Sequence, residues 1–383
     1  SYIGYGDGKV YVEYNGRIEA FDETTLEPVW ISEELSHEET NSETGKTTTV
    51  DDTIASRLFY DDGHLYFGTG KNSGSGKYYV IDTKSEKKED ATKTEEIKNV
   101  KEIISSEGSF YLKNAVKVGQ YIITSDNQGT ISSIDTKNND KVVSTKEIGK
   151  RFSGGIAYDK TTNMIYFVAG TNDGTFGEEK SVRVYETGYS AMTPEVYNGK
   201  VYVSGCVGTS PFSDKGYLAV VDVQSEQYKV NYIVELPAYA MGEMLVSKTG
   251  ENSVRLYFTV NYAESDENYV PYSGGGIYSI EDTKGATSAK LETIYEPDKD
   301  HANYCMNSIY VDEDGTMYYI NDSKTIFAIG KKAASITPST SNATTTVVNE
   351  TKVKPVTKTV KSTRSVKLTW KKNKSAKGYV IYA

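Results

Sequence analysis

The chain is poor in the residues that usually announce chemistry. It has 2 cysteines, 3 histidines and 8 prolines in 383 residues. His37, His64 and His301 form no HxH or HExxH spacing and no Cys-x-x-Cys occurs, which argues against a zinc centre. There is no G-x-S-x-G and no P-loop in its proper setting. Gly70 to Lys77 is rich in Gly, Ser and Lys, but a Walker loop runs from a strand into a helix. This one runs into the strand-like Tyr78-Tyr79-Val80, so it reads as a hairpin loop. No stretch carries a 3.6-residue apolar period, and no apolar run reaches the length of a membrane-crossing helix. Nothing in their spacing requires Cys206 and Cys305 to pair, and they read as buried free thiols. The chain starts at Ser1 without a leader and stops inside the strand-like Gly378 to Ala383. Any targeting signal is therefore expected outside it.

Positive charge is also short. The formal net charge is −10, which argues against nucleic acid as a partner, because phosphates demand clustered Lys and Arg. The basic stretch Lys352 to Lys374 is Thr- and Ser-rich and reads as a linker running into a further domain.

What is present is β-forming and turn-forming. There are 32 tyrosines and 33 glycines, and Tyr, Val, Ile and Thr favour strands that Gly and Asn punctuate. The chain reads as all-β. One pattern recurs: a Gly or Asn turn, an apolar-Tyr-apolar strand, a loop, and a second strand that often ends in Asp. The clearest copies are Gly8 to Val12 with Gly16 to Asp22, and Gly199 to Val203 with Gly216 to Asp222. Looser copies bring the total to seven, anchored at Val10, Leu65, Tyr121, Ile165, Val201, Leu256 and Met317, with intervals of 36 to 61 residues. A four-stranded propeller blade takes roughly 40–50 residues. Each anchor follows a short candidate inner strand: Ile3 to Tyr5, Ser56 to Tyr60, Asn114 to Val118, Gly155 to Tyr158, Glu195 to Tyr197, Glu243 to Ser247 and Ser308 to Val311. The expected fold is a seven-bladed β-propeller of four-stranded antiparallel blades over residues 1–331. Radial stacking would bury both faces of every blade. The last blade either has three strands or borrows one from before Ser1. Asp22, Asp82, Asp135 and Asp222 are expected to cap Asx turns.

Gly8 to Val12, Gly16 to Asp22, Thr25 and Trp30 resemble the repeat of the pyrroloquinoline-quinone (PQQ) dehydrogenase-like, or quinoprotein-like, propellers. That repeat has a G-x-[VI]-Y-V strand, an [LIV]-x-[AV]-[LF]-D strand and a Thr-Gly turn leading to Trp. Leu26 stands where the repeat has glycine, and Trp30 alone supplies the closing tryptophan. The resemblance implies the scaffold. Repeated tryptophan docking and a calcium beside the quinone, which the enzymes of the family have, find no match here, so quinoprotein-type activity is not expected and no cofactor is expected. Val366 to Trp370 and Gly378 to Tyr382 resemble two strands of a fibronectin type III domain. Such a sandwich takes about 100 residues. The expected organisation is a propeller at 1–331, a Ser/Thr/Val/Lys-rich linker at 332–365, and a truncated fibronectin type III-like domain at 366–383. Together these imply an extracellular surface protein of a Gram-positive bacterium, attached to other domains of a longer polypeptide and not inserted in a membrane.

For a site, two acidic turns, Asn172-Asp173-Gly174 and Asp312 to Gly315, could hold calcium weakly. Neither has the length of an EF-hand loop, and both read as solvated turns. The loop tyrosines are the stronger signal: Tyr189, Tyr239, Tyr262, Tyr269, Tyr272 and Tyr304. Tyrosine supplies rigid amphipathic contact area at low entropic cost. The candidate ligand-binding set is Phe212, Tyr262, Glu264, Asp266, Tyr269, Tyr272 and Tyr304, on loops expected to share one propeller face. The expected function is non-enzymatic adhesion to a glycan or a host or secreted protein. The alternatives are a divergent quinoprotein-like or glycan-cleaving enzyme, which paired carboxylates at the channel would favour, and a structural spacer.

Overall fold

Each repeat folds into an antiparallel meander whose strands pair in sequence order. The computed structural model describes residues 3–40, 43–84, 95–97, 100–170, 190–206, 215–224, 228–261, 264–311, 315–330, 356–357 and 368–369. The chain divides into two compact units, Ser1–Lys331 and Lys332–Ala383.

In the first unit the first sheet is Ile3–Gly6, Lys9–Tyr14, Arg17–Asp22 and Pro28–Ser32. The second is Phe59–Asp61, His64–Gly68, Gly76–Asp82 and Val100–Ser106. The third is Ala115–Val118, Tyr121–Ser125, Thr130–Asp135 and Lys141–Glu147. The fourth has Phe152–Asp159 and Met164–Ala169 among the described residues. The fifth is Glu195–Tyr197, Lys200–Cys206, Gly216–Asp222 and Lys229–Leu236. The sixth is Leu245–Lys248, Ser253–Thr259, Ile277–Thr283 and Glu292–Tyr295. The seventh has Tyr310–Val311, Met317–Ile320 and Ile326–Ile329. All seven anchors lie on the second strand of a sheet. The expected partner strand of the fourth, Val182 to Tyr185, lies outside the described residues.

Local chemistry explains the meanders. Asp7-Gly8, Asn15-Gly16, Asp62-Gly63 and Asn198-Gly199 all place both turn residues at positive φ. That is the tight hairpin turn whose twist matches the flanking strands. The aspartates cap as expected: Asp22 Oδ1 accepts from Thr24 N and Thr25 N, and Asp82, Asp135 and Asp222 each accept from the backbone N two residues on. The Gly70 to Lys77 segment joins the second and third strands of the second sheet, with Thr69 N donating to Lys77 O. It is a hairpin loop.

The first strands of neighbouring sheets touch: Ile3–Gly6 with Phe59–Asp61, Ala115–Val118 with Phe152–Asp159, and Phe152–Asp159 with Glu195–Tyr197. Gly6 has no room for a side chain against the Tyr60 ring. Sheets set side by side along their first strands make a β-propeller. Their facing surfaces form the core. Tyr11 and Trp30 of the first sheet bury against Leu65 and Phe67 of the second, with the Tyr11 and Trp30 rings 5.7 Å apart. Tyr66, Tyr78, Ile122 and Ile134 join the second and third. A larger cluster runs from Tyr166 through Leu218 and Val220 to Leu256 and Ile280, across the fourth, fifth and sixth. Ile277, Cys305, Tyr319 and Phe327 join the sixth and seventh. Cys206 and Cys305 are both buried, and no disulfide joins them.

Two expectations need correction. First, burial does not extend around the whole ring. No buried cluster joins the seventh sheet to the first among the described residues, and Ile3 (57% exposed), Tyr5 (65%), Tyr310 (59%) and Ile326 (75%) keep apolar surface in solvent. The physical reason is alternation: Tyr319 and Phe327 point to the sixth sheet, which turns Tyr318, Ile320 and Ile326 the other way. Second, the blades are not uniformly four antiparallel strands. Glu95–Ile97 adds to the first sheet by pairing parallel with Pro28–Ser32, and covers its edge. Ser36–Thr40 and Thr47–Asp51 form a separate hairpin. In the second unit Val356–Thr357 pairs antiparallel with Leu368–Thr369, inside the expected strand Val366 to Trp370. Gly378 to Ala383 lie outside the described residues.

Candidate ligand site at the axis

Because the meanders share one polarity, the turns from second to third strand and the segments leading into first strands gather at one end of the ring. At that end a cavity of about 720 Å³ opens on the axis. Six of the sheets contribute: Ile3 from the first, Arg57 from the second, Tyr111 from the third, Thr193 from the fifth, Glu243 from the sixth and Ser308 from the seventh. The turn residues Lys71, Asn72 and Asp322 line the same cavity. Its rim is apolar and adaptable, with exposed Met306, Tyr111 and Tyr310 beside Met241.

Charge sits deeper. Arg57 Nη1 donates to a Glu243 carboxylate oxygen, and Nη2 donates to Ser308 Oγ at 3.2 Å. One guanidinium therefore ties the second sheet to the sixth and seventh. Glu195, on the first strand of the fifth sheet, keeps some solvent contact but is surrounded by protein on almost every side. Burial pushes its carboxyl up to about 8, and the Arg57 charge opposes the shift. Lys113 leads into the third sheet and is fully buried. Its Nζ donates to Phe152 O at 2.8 Å and Ser153 O at 3.2 Å, binding the third sheet to the fourth. Burial lowers its pKa to about 7, Arg151 lowers it further, and Asp126 works the other way.

The candidates from the sequence divide. Phe212 and Tyr262 lie outside the described residues, as does Tyr189. Glu264, Asp266, Tyr269 and Tyr272 share the second-to-third-strand loop of the sixth sheet, at the end where the cavity opens. Tyr269 is 87% exposed and Tyr272 is also exposed. The two carboxylates serve the loop rather than standing free. Glu264 Oε2 accepts from Ser273 Oγ at 3.0 Å, and Asp266 Oδ1 accepts from Asn268 N and Val270 N, each at 2.9 Å. Tyr269 takes a positive φ of 63° to close that turn. Tyr304 is half-buried, and its hydroxyl donates to Met306 Sδ at 3.1 Å, which links it to the cavity rim. Asn261, buried at the root of the loop, brings Nδ2 within 3.5 Å of both Tyr304 Oη and Met241 Sδ. The structure thus joins Tyr304 to the cavity through Met306 and Asn261, while Tyr269 and Tyr272 stand on the neighbouring loop. Tyr239, read as a loop contact, is fully buried, and its hydroxyl oxygen accepts Ala191 N at 2.5 Å.

Arg57, Glu195, Glu243, Met241 and Met306 were not singled out in the sequence. Three of them carried a signal: a charge within an expected innermost strand at Arg57, Glu195 and Glu243. Among the described residues no group of His, Cys, Asp or Glu is placed to hold a metal ion. Nor does any described helix have the length and apolarity to cross a membrane.

No family model matches the chain. No curated protein matches it either. Solved structures align over most of its length with little identity. The computationally designed Ika8 protein gives a TM-score of 0.45 at 11% identity, over 86% of this chain and 95% of that one. The Neurospora crassa Pan2 WD40 domain gives 0.38 at 10%, over 87% and 79%. A chain of a mitotic checkpoint complex gives 0.47 at 8%, over 86% and 88%. At such scores the likenesses carry neither fold nor function across, and the all-β propeller arrangement rests on the sheets of this chain and the axial cavity they share.

Proposed function

We propose that this chain is a non-enzymatic binding module that takes its ligand at the axial mouth. One observation carries the reading: an open cavity of about 720 Å³ built from loops of six sheets. Convergent loops on a rigid scaffold are the usual place for recognition. In finer terms we read the sheets as seven blades of a PQQ-like ring, followed by a fibronectin type III-like spacer, on an extracellular surface protein. Met306, Tyr111 and Tyr310 favour a protein or glycan ligand presenting an apolar face, with Tyr269 and Tyr272 extending the contact. The test is capture on arrays of glycans and secreted proteins by the full chain. A Tyr111→Ala/Met306→Ala/Tyr310→Ala variant is expected to lose capture while its melting temperature stays close to wild type. Capture unaffected by that variant would place the ligand elsewhere.

A second reading has its own observation. Glu195 and Glu243 both approach Arg57, and a carboxyl kept protonated to about 8 suits a general acid. A glycan-cleaving enzyme would lose turnover on Glu195→Gln; absence of turnover on a panel of chromogenic glycosides returns the site to binding alone.

A further inference from the structure

A second pocket lies at the opposite end of the ring. It is lined where the second strands begin and the third strands end, between the fifth and sixth sheets, and encloses about 540 Å³. Its floor is a built polar centre. Asp282 is 2% exposed, and three donors converge on it: Lys200 Nζ at 2.7 Å, Tyr202 Oη at 2.7 Å and Tyr232 Oη at 2.6 Å. That carboxylate is fully committed, and it neutralises Lys200. Asp222 uses Oδ1 to cap its own turn at Gln224 N.

What remains facing the pocket is cationic and amide-rich. Lys229 and Lys284 line it and are exposed, and neither ammonium has a counter-ion among the described residues. Asn198, Gln224, Asn231 and Asn252 line it as well. Three lysines against two aspartates leave the described lining positive, on a chain whose formal net charge is −10. Side-chain amides offer a donor and an acceptor together, which matches vicinal hydroxyls. Lysines supply the counter-charge for a carboxylate or sulfate. Gln224 Nε2 already donates to Asn198 O at 2.6 Å, so a bare inorganic anion would use the lysines and leave the amides of Asn198, Asn231 and Asn252 idle, and a neutral sugar would do the reverse.

We propose that this pocket binds an acidic saccharide, one bearing carboxylate or sulfate groups, independently of the axial mouth. The ligand's acid groups would face Lys229 and Lys284, and its hydroxyls the amides. Tyr197, which also lines the pocket, offers a ring for the sugar face. The exposed position of both lysines lets them be replaced without touching the core, whereas Asp282 could not be.

The experiment is calorimetric titration of the full chain with trigalacturonate, with neutral maltotriose and sodium sulfate as comparison arms. The trigalacturonate is expected to bind, to weaken with added salt, and to lose about tenfold or more in affinity in Lys229→Gln/Lys284→Gln. Maltotriose and sulfate are each expected to bind far more weakly. Absence of trigalacturonate binding to the wild type, equal binding by the double variant, or equal binding of maltotriose or sulfate would each overturn the proposal. The Tyr111→Ala/Met306→Ala/Tyr310→Ala variant serves as the control for the axial reading. It is expected to bind trigalacturonate as wild type, so failure at one end does not imply failure at the other.

Discussion

Arg57 and Glu243 are 186 positions apart in sequence and form an ion pair at the axis of the ring. Each side chain is about one-third exposed, at 31% and 32%. The pair brings the lead-in of the second sheet to that of the sixth, so it reports on assembly of the whole array rather than on any single meander. Arg57→Ala removes the cation that pairs with Glu243 and opposes the upward shift of Glu195, and is expected to cost about 2 kcal/mol in urea denaturation. In a cycle with Glu243→Ala the coupling should exceed about 0.5 kcal/mol. Simple additivity would mean that the pair does not contribute to holding the ring.

Glu195 and Lys113 give opposite pH dependences. Glu195 moves from 4.5 to about 8 on folding. The folded state therefore holds a proton that the unfolded state releases, and stability contributed by Glu195 falls as pH rises from 4.5 through 8. Lys113 moves from 10.5 down to about 7. The unfolded state binds the extra proton, so its contribution rises as pH rises from 7 towards 10.5. Measured against wild type, Glu195→Gln should gain relative stability between pH 5 and 8. Lys113→Met should lose relative stability between pH 8 and 10. Parallel wild-type and variant curves would contradict the assigned burial.

Asp282 gathers three donors in the described core. Asp282→Ala strands a lysine and two tyrosine hydroxyls, and is expected to cost about 3–5 kcal/mol. Tyr202→Phe removes one donor of three and should cost only about 1 kcal/mol. Equal losses for the two variants would show that shape at this position matters and the charge does not.

The two faces of the seventh sheet should respond differently. Phe327 packs with Tyr319 at a ring distance of 4.7 Å, so Phe327→Ala is expected to cost about 3–4 kcal/mol. Ile326 is exposed on the opposite face, and Ile326→Lys should change stability by less than about 0.5 kcal/mol. A large loss at Ile326, read by chemical denaturation, would mean that this face is covered in solution.

Local pattern carried the sheets. The Asp-Gly and Asn-Gly turns, the apolar-Tyr-apolar strands and the capping aspartates act over a few residues. Val10, Leu65, Tyr121, Ile165, Val201, Leu256 and Met317 therefore already marked seven second strands before any packing was known. Exposure of Tyr269 was legible too, since a polar loop between two strands has nowhere else to go. Tertiary structure decided the rest. Glu264 and Asp266 looked like ligand acceptors in sequence, yet each has the backbone or hydroxyl of its own loop within reach, and folding spends those oxygens first. Tyr239 sits in a loop but fills the core, where its hydroxyl meets Ala191 N, 48 positions away. Arg57 meets Glu243, and Lys200 meets Asp282, only when separate meanders come side by side. A charge pair of that kind has no periodicity to read: what selects it is the distance between two sheets, which no local pattern in the chain encodes.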